Sequence, residues 1–520
     1  MKDLYSIVGL TKSGPLTDEQ REKLELGLRT LAKKAGLDRQ SRKSEKSRDV
    51  APDSQNGDGG ADRSTTEQPE PDGKPGDKRD GSPTASGHGR NGASAYGGAK
   101  RCRVPHDSLK PGDPCPDCVK GTLYEQTEPA VLVRITGQAP LGAQVVERQR
   151  LRCNPCGKVF TAPVPDNVGD EKYDASAAAM IGLFRYGTGL PFNRLQRLQG
   201  NLEIPLPAST QWDIVLGASD KLKPLFDALC RRAAQGELVH NDDTTMRILA
   251  FKKSGYREEH GSPADRTGTF TSGIVAVVDG RTIALYFTGW KHAGENLADV
   301  FRLRAADLPV PIQMCDGLSH NVSKEFSTLL ANCLPHARRK FVEIIDAFPD
   351  ECRTVIRTLR DVYRNDALAK ERGLSKEERL LLHQADSGPI MDQLRTWLNE
   401  QLDQRIVEPN SSLGESMRYM RKHWNELTLF LRVAGAPLDN NIAERALKRA
   451  IMHRKNSLFY KTLNGARAGD IFQSLIHTAE LARVNPFEYL TTLLRNADDV
   501  AEHPERWMPW NYRQPTSAVG

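Results

Sequence analysis

The sequence predicts an α/β protein of several domains, in which a helical region is inserted into an α/β core. Three observations support this fold class. Segments rich in β-branched residues follow one another between residues 238 and 315, and charged helical patterns dominate from residue 321 to 430. Five of the nine cysteines fall between Cys102 and Cys156, ahead of the core. With 520 residues, 38% of them hydrophobic, the chain exceeds what one ordinary core needs.

The charge of the chain is only mildly basic, with 73 Lys and Arg against 67 Asp and Glu and a net charge of +6. This balance alone establishes no nucleic-acid partner. No apolar stretch reaches the roughly 20 residues of a membrane span, and no signal-like segment follows Met1. We therefore expect a cytoplasmic protein without membrane contact.

The first 100 residues predict a short helix followed by a linker. Thr17 and Gln20 form a capping box and leucines then recur at helical spacing, which favours a docking or weakly self-associating helix over residues 1–37. Residues 38–100 contain no Leu, Ile, Phe, Trp or Met, so they cannot bury enough apolar surface to offset the entropy of ordering. We expect a flexible linker that only tethers.

The cysteines ahead of the core are spaced as metal ligands over residues 101–165. Two Cys-x-x-Cys turns together complete a closed tetrahedral site for structural Zn²⁺, and strands predicted over 130–135 and 144–151 lie between them, as in a zinc ribbon. Two disulfides or unrelated buried cysteines are the alternatives, and the expected reducing compartment favours zinc. Such a closed site folds a module and performs no chemistry. The predicted zinc ligands are Cys115, Cys118, Cys153 and Cys156.

A helical domain is predicted over residues 166–236. Helical patterns cover 173–185, 193–198 and 209–225, and glycine and proline mark the breaks between them. Ser209 follows a short turn and is able to cap a recognition helix. A DNA-binding helix-turn-helix and a helical hairpin that only packs are both open at this point.

Strand patterns mark the first part of the predicted core, and a second part follows the helical insertion. The predicted strands are 238–249, 269–278, 282–288 and 311–315, with a helix over 296–305 before the last of them. The predicted divisions are a first core segment over 237–345, the insertion over 346–430, a second core segment over 431–482 and a C-terminal tail over 483–520.

Three acids stand at positions suited to metal chemistry. Asp242 lies within the first strand, Asp316 follows the strand over 311–315, and Glu444 sits on a predicted helix. A carboxylate where a buried strand ends is costly unless it is paired or bound to metal. Two strands and a helix that each supply one acid match a two-magnesium site for phosphoryl transfer. On the pattern alone, solvated surface acids, with Glu444 paired to Lys448, are the commoner outcome.

Several motifs resemble the insertion sequence 66 family of transposases, over roughly residues 115 to 512. His240-Asn241-Asp242-Asp243-Thr244 is similar to the family's His-x-Asp-Glu-Thr segment, and Met314-Cys315-Asp316-Gly317 to its second acid with the following glycine. The segment from Cys333 to Phe341 resembles Cys-Trp-Ala-His-x-Arg-Arg-x-Phe. The strongest match is Leu438-Asp439-Asn440-Asn441-Ile442-Ala443-Glu444-Arg445-Ala446-Leu447. The departures from the family pattern are Asp243, Leu318, Leu334 and Pro335.

This resemblance implies an RNase H-like core interrupted by the helical insertion, with DNA transposition as the activity. The resemblance makes Glu444 the third acid, beside Asp242 and Asp316. Together the three acids would hold a pair of Mg²⁺ ions, with Mn²⁺ as a substitute. The resemblance also implies a bacterial, nucleoid-associated protein that acts as a homo-oligomer on transposon ends and target DNA, with small accessory proteins.

Further side chains are expected to support the site or to contact DNA. Basic residues outnumber acids between residues 436 and 469, which suits a polyanionic substrate once the acids lie alongside, although a solvated helix face is the commoner fate of such a run. His336 with Cys333 is either a metal-ligand pair or a packed turn that orients the acids, and the second is favoured. The predicted supporting residues are His240, His336, Asn440 and Asn441, and the predicted DNA contacts are Arg338, Arg339, Arg445, Lys448, Arg449, Arg454 and Lys455.

The leading hypothesis is a transposase, a polynucleotidyl transferase and endonuclease that cuts transposon ends and joins them to target DNA. An RNase H-like nuclease or resolvase would share the metal chemistry without strand transfer. A non-catalytic DNA-binding descendant of a transposase would keep the zinc and basic surfaces, and the presence of all three acids argues against it. A zinc-dependent hydrolase is disfavoured because the cysteine site is closed.

Overall fold

The computed structural model describes a defined portion of the chain: residues 108–116, 121–125, 139–152, 159–165, 171–253, 255–263 and 266–512. Contacts divide the chain into a unit of residues 57–142 and a larger unit of residues 1–56 and 143–520. The helix predicted over 1–37 and the linker predicted over 38–100 lie outside the described residues.

In the unit of residues 57–142, the described portion contains an isolated β-bridge. Pro114 and Thr122 form an antiparallel bridge, and the backbone N–H of Cys115 donates to the carbonyl of Gly121 at 2.8 Å. The zinc site therefore stays a prediction, because three of its four ligands lie outside the described residues: Cys118, Cys153 and Cys156.

Two short strands open the described portion of the larger unit. β1 (Arg150–Arg152) pairs antiparallel with β2 (Val159–Thr161). The strand predicted over 144–151 thus begins only at Arg150. The strand predicted over 130–135 lies outside the described residues.

A five-stranded mixed sheet forms the α/β core. β4 is antiparallel to both β3 and β5, whereas β6 is parallel to both β3 and β7, and β3 occupies the centre of the order β5-β4-β3-β6-β7. β4 is buried along nearly its whole length, as expected of a strand that is covered on both faces. The strands are β3 (Leu238–Thr245), β4 (Phe270–Val278), β5 (Arg281–Gly289), β6 (Ile312–Cys315) and β7 (Leu329–Asn332).

The strand β7 corrects one sequence expectation, which treated residues 321–430 as almost entirely helical. Leu329-Leu-Ala-Asn332 is only four residues long and contains no β-branched residue, so its composition does not distinguish a strand from a helix. Its extended form is decided by pairing with β6, in the register Ile312↔Leu329 to Cys315↔Asn332.

The helices that precede the sheet confirm the three helical segments predicted there. The third is longer than predicted and contacts β4 and β5. These helices are α1 (Ala175–Gly182), which continues as a π-helical turn (Leu183–Gly187), α2 (Phe192–Asn201) and α3 (Ala208–Ala234). Within the sheet region lie α4 (Tyr256–Glu259) and α5 (Ala293–Phe301).

The helical insertion shares one hydrophobic core with the parallel edge of the sheet. Met314 of β6 and Ala331 of β7 are buried in the same cluster as Leu359 and Met417 from the insertion. The insertion thus packs against β6, the strand that Asp316 follows. Its helices, with the one that leads into it, are α6 (Leu334–Ile344), α7 (Pro349–Glu371), α8 (Lys376–Leu382), α9 (Gly388–Asp403), α10 (Ser412–Lys422) and α11 (Trp424–Leu427).

The last helices return to the antiparallel half of the sheet. The first of them contacts β3 and β4. The second packs on β5, where the buried carboxylate of Asp470 accepts hydrogen bonds from the backbone N–H of Thr288 at 2.7 Å and from its hydroxyl at 2.6 Å. These helices are α12 (Asn441–Ser457), α13 (Leu463–Leu481), α14 (Pro486–Arg495) and α15 (Ala497–Glu502). Within the described ranges, none of the helices combines the length and apolar character that crossing a membrane demands.

Candidate active site

Two of the predicted acids occupy corresponding positions on neighbouring parallel segments, Asp242 within β3 and Asp316 directly after β6. The register of β3 with β6 runs from Leu238↔Ile312 to His240↔Met314. Asp242 and Asp316 each follow the last of these pairs by two residues, so they occupy corresponding positions where β6 ends. The strand pairing therefore brings together acids that are 74 residues apart in sequence (316 − 242).

A buried asparagine joins these two carboxylates. The side-chain amide of Asn321 donates to Oδ1 of Asp316 at 2.8 Å and lies 3.4 Å from Oδ1 of Asp242. Asn321 is only 1% exposed, so the bridge is held in a region with little water. The sequence motifs do not identify Asn321, and its position five residues after Asp316 is the only signal that they offer.

The helical insertion also reaches the second acid. The hydroxyl of Tyr419, on α10, donates to the backbone carbonyl of Asp316 at 3.3 Å, and the ammonium of Lys340 lies 4.5 Å from the centre of the Tyr419 ring. Gly317 turns the chain with a φ of +81°, and a Cβ there would lie 2.9 Å from Nδ2 of Asn332. The glycine after the acid is therefore required by both backbone and space.

The third acid, Glu444, lies in the first turn of α12, whose start is anchored to β3 by Asn440. The amide of Asn440 donates to the carbonyl of Asn241 at 3.1 Å, and its Oδ1 lies 3.1 Å from Nδ1 of His240. Because Oδ1 is an acceptor, His240 carries its proton on Nδ1. Burial lowers the pKa of His240 to about 4, which keeps the ring neutral. Thus His240 bonds to an amide and not to a carboxylate.

The two supporting asparagines have different roles. Asn440 is buried, and its side chain forms no cap on α12 although it directly precedes the helix. The carboxylate of Asp439 instead accepts a hydrogen bond from the backbone N–H of Asn441 at 3.1 Å. Asn441 itself is exposed. Asn440 therefore connects helix to sheet, whereas Asn441 begins the helix at its surface.

The charges of the three acids act on one another. Burial, followed by the negative charges of Asp316, Asp243 and Glu444, raises the pKa of Asp242 from an ordinary 3.8 to about 7, against a lowering hydrogen bond from the backbone of Asp243. Asp242 is thus close enough to both other predicted acids for their charges to act on it. A site that raises a carboxyl pKa in this way is suited to a cation.

Beside Glu444 lie two buried polar atoms without a hydrogen-bond partner among the residues that the structure describes. They are Oε1 of Glu444 and Nδ1 of His336, 3.8 Å apart. Cys333 completes a group whose ligand atoms lie within 4.8 Å of one another. Burial raises the pKa of the Cys333 thiol to about 12, so it is a poor ligand in its protonated form. The orphaned carboxylate oxygen remains available to a hard cation.

The predicted DNA contacts fall into two groups. Arg445, Lys448 and Lys455 are exposed on α12. Two of the others form contacts within the protein: Arg449 pairs with Glu480, and Arg454 donates to the hydroxyls of Thr244 and Thr245 at 3.0 and 2.6 Å. The remaining two are partly or largely buried, since Arg338 is 8% exposed and Arg339 is half-buried.

Comparison with known proteins identifies the family. A family model described as "Transposase IS66 family" matches residues 171–468, more than half of the chain. The chain belongs to the IS66 family of transposases. The matched span contains β3, β6 and α12 and therefore all three predicted acids. As a member of this family, the IS66 transposase is a DNA-processing enzyme and DNA is its partner.

Two relatives from Sinorhizobium fredii (strain NBRC 101917 / NGR234) are similar to this IS66 transposase over most of its length. The protein named "Uncharacterized protein y4hP" is 27% identical over 411 residues, which cover 74% of this chain and 70% of that protein. The protein named "Uncharacterized protein y4jD" is 26% identical over 431 residues, covering 76% of this chain and 78% of that protein.

We predict that Asn440→Ala destabilises the transposase more than Asn441→Ala. The first substitution leaves the carbonyl of Asn241 and Nδ1 of His240 without their partner, which costs roughly 1 to 3 kcal/mol of the free energy of unfolding. The second removes an exposed side chain and should change that free energy by less than about 0.5 kcal/mol. Urea unfolding of both variants measures the difference, and equal losses would contradict the anchoring role of Asn440.

We also predict a pH-dependent gain of stability from Asp242→Asn in metal-free protein. A carboxyl whose pKa is raised on folding stabilises the native state when protonated, and this contribution is lost as the pH rises from about 4 through about 7. Above pH 7 the variant should therefore exceed the wild type by roughly 1 to 3 kcal/mol. Unfolding is measured across this range in chelator, with the exposed Asp307→Asn as the control. A difference that does not grow with pH would contradict the prediction.

Proposed function

We propose that this IS66 transposase cuts transposon ends and transfers them to target DNA by phosphoryl transfer at Asp242, Asp316 and Glu444. These acids would hold a pair of Mg²⁺ ions, for which Mn²⁺ can substitute. The observation that carries the proposal is their convergence: Asn321 joins the first two carboxylates, and the charge of the third raises the pKa of Asp242.

The architecture around the acids supports an RNase H-like core. A mixed five-stranded sheet carries two acids on adjacent parallel strands, and a helix packed against that sheet carries the third. The helices of the insertion fall between the second and third acids, which is the position that the family resemblance implies. The 128 residues between Asp316 and Glu444 (444 − 316) are thereby accounted for.

The donor set fits divalent magnesium. Its atoms are carboxylate oxygens, which hard cations prefer, and Oε1 of Glu444 is buried without a hydrogen-bond donor among the described residues. Burial and the repulsion of neighbouring acids raise the pKa of Asp242, and a bound cation would favour its charged form against both. Asp242, Asp316 and Glu444 would hold such ions, which when bound would supply electrostatic stabilisation of the charge that develops during phosphoryl transfer.

Side chains around the three acids would position them and the DNA for this reaction. Asn321 holds the carboxylates of Asp242 and Asp316 at a fixed separation. Asn440 sets the start of the helix that presents Glu444. The exposed cations Arg445 and Lys448 lie on that same helix and attract the DNA backbone toward the acids.

The other regions of the chain would bind or assemble on DNA. The zinc ribbon over 101–165 and the helical domain over 166–236 would bind the transposon end. The helical domain would do so through two helices arranged like a helix-turn-helix. The transposase would act as a homo-oligomer at paired ends, together with small accessory proteins. A nuclease or resolvase without strand transfer is the alternative, and a non-catalytic DNA-binding protein is disfavoured by the convergence of all three acids.

We predict that Asp242→Asn, Asp316→Asn and Glu444→Gln each abolish Mg²⁺-dependent cleavage of DNA that carries the element's own ends, while DNA binding persists. Each substitution removes a metal-binding charge without altering the side-chain volume. Cleavage is followed on labelled ends, with Asp307→Asn as the matched control and with chelator and Mn²⁺ as metal controls. Full cleavage by any of the three variants would contradict the assignment.

The same assay separates the alternatives. Pre-cleaved ends are mixed with a target plasmid, and joined products distinguish a transposase from a nuclease that only cuts. If the protein cleaves the ends but does not join them to the target plasmid, the result would favour a nuclease.

We further predict that Lys448→Ala weakens DNA binding and lowers the salt dependence of the affinity by about one phosphate contact. Arg449→Ala should leave the salt dependence unchanged, because Arg449 is paired with Glu480. Affinities are measured between low and physiological salt. Equal salt slopes for Lys448→Ala and the wild type would remove Lys448 from the DNA surface.

A further inference from the structure

A second cluster of metal-ligating side chains lies on the other face of β3, next to the proposed catalytic acids. Oδ2 of Asp243 is 2.8 Å from Nδ1 of His292, and the rings of His292 and His320 have centres 4.5 Å apart. One ligand atom from each of these three side chains lies within 4.8 Å of the others. Along a strand, neighbouring side chains point to opposite faces, so Asp243 is separated from Asp242 by the sheet itself.

Three separate elements hold this cluster in place. Asp243 comes from β3, His292 immediately precedes α5, and His320 lies in the loop after β6. The backbone N–H of Gly294 donates to the carbonyl of His320 at 3.0 Å. A Cβ at position 294 would lie 2.5 Å from the carbonyl oxygen of Val322, so the loop and the helix approach as closely as a glycine permits. The two histidines are therefore fixed relative to each other by backbone contacts.

The chemistry of this cluster differs from that of the three acids. Two imidazoles and one carboxylate suit Zn²⁺, Fe²⁺ or Co²⁺, whereas Mg²⁺ prefers oxygen ligands alone. With bonds of about 2.0 to 2.2 Å, two ligand atoms on one tetrahedral ion lie roughly 3.3 to 3.6 Å apart. The three atoms reach this arrangement by movements of about 1 Å, within the range of side-chain rotation.

We propose that Asp243, His292 and His320 bind one divalent transition-metal ion, with Zn²⁺ as the probe, at a site distinct from Asp242, Asp316 and Glu444. All three side chains are partly exposed, which leaves an ion a path from solvent and room for a water ligand. Three protein ligands with an open position are the pattern of an accessible zinc site.

The ion would stabilise the loop that organises the catalytic acids. His320 directly precedes Asn321, whose amide bonds to Asp316 and contacts Asp242. A metal on His320 ties this loop to β3 and to the start of α5. A metal bound at this site would therefore influence the positions of Asp242 and Asp316, because His320 is joined directly to Asn321.

The competing arrangement is a metal-free one, in which Asp243 pairs with His292 and the His292 ring makes tilted contacts with the rings of Phe270 and His320. The ring centres of Phe270 and His292 are 4.0 Å apart. Under that arrangement zinc neither binds at this cluster nor stabilises the protein, so the two alternatives differ in a direct measurement.

The test measures the zinc content of the full chain after equilibration with Zn²⁺ and removal of unbound metal, with His320→Asn and His292→Asn compared with the exposed His503→Asn. Each of the first two variants should lose about one equivalent of zinc per chain, whereas His503→Asn should match the wild type. Zn²⁺ should also raise the melting temperature of the wild type more than that of His320→Asn. Equal zinc content in all variants would overturn the proposal.

Anomalous scattering at the zinc edge from wild-type crystals provides a measurement that needs no variant. A peak between Asp243, His292 and His320 supports the site, and its absence from crystals grown with Zn²⁺ overturns it. Neither experiment requires DNA or turnover, so the result is independent of whether cleavage depends on the three acids.

Discussion

Electrostatic repulsion among carboxylates is the constraint on which the rest of this structure depends. Asp242, Asp316 and Glu444 come from two strand segments and a helix, and burial together with the negative charges of its neighbours raises the pKa of Asp242 to about 7. Separate surface acids would avoid this cost by moving apart. Here the backbone prevents it, because the register of β3 with β6 and the docking of α12 leave the acids little freedom.

Neutral amides hold these charges in place. Asn321 and Asn440 are both buried, and each uses its hydrogen bonds to join separate segments: one joins two carboxylates, the other joins a helix to a strand. An amide suits this role because it donates and accepts without adding charge. The helical insertion also supplies a neutral group to the site, because the hydroxyl of Tyr419 donates a hydrogen bond to the backbone carbonyl of Asp316. Since the insertion shares its core with β6, it supports the strand as well as the acid that follows.

The elements recognised from sequence are those with strong local patterns. The runs of β-branched residues in β4 and β5 and the periodic helices α1 and α2 agree with the structure closely, and α3 begins where predicted but continues to Ala234. The one failure has a weak pattern: β7 is four apolar and polar residues without β-branching, and pairing with β6 makes it extended. The side chain of Asn440 likewise contacts β3 and does not cap its own helix. In both, a tertiary contact overrides a local preference.

The sequence by itself determined the family, predicted three acids as the candidate site and indicated the order in which strands, insertion and final helix follow one another, because these are carried by residue types at fixed spacing. Only the tertiary structure decided that Asn321 contacts Asp242 and Asp316, that Tyr419 donates to the backbone of Asp316, that Arg449 pairs with Glu480, and that Asp243 contacts His292 near His320. Contacts between residues far apart in the chain leave no periodic trace in the sequence. They arise when strand pairing and helix packing bring the chain segments together, so they become visible only once the fold is known.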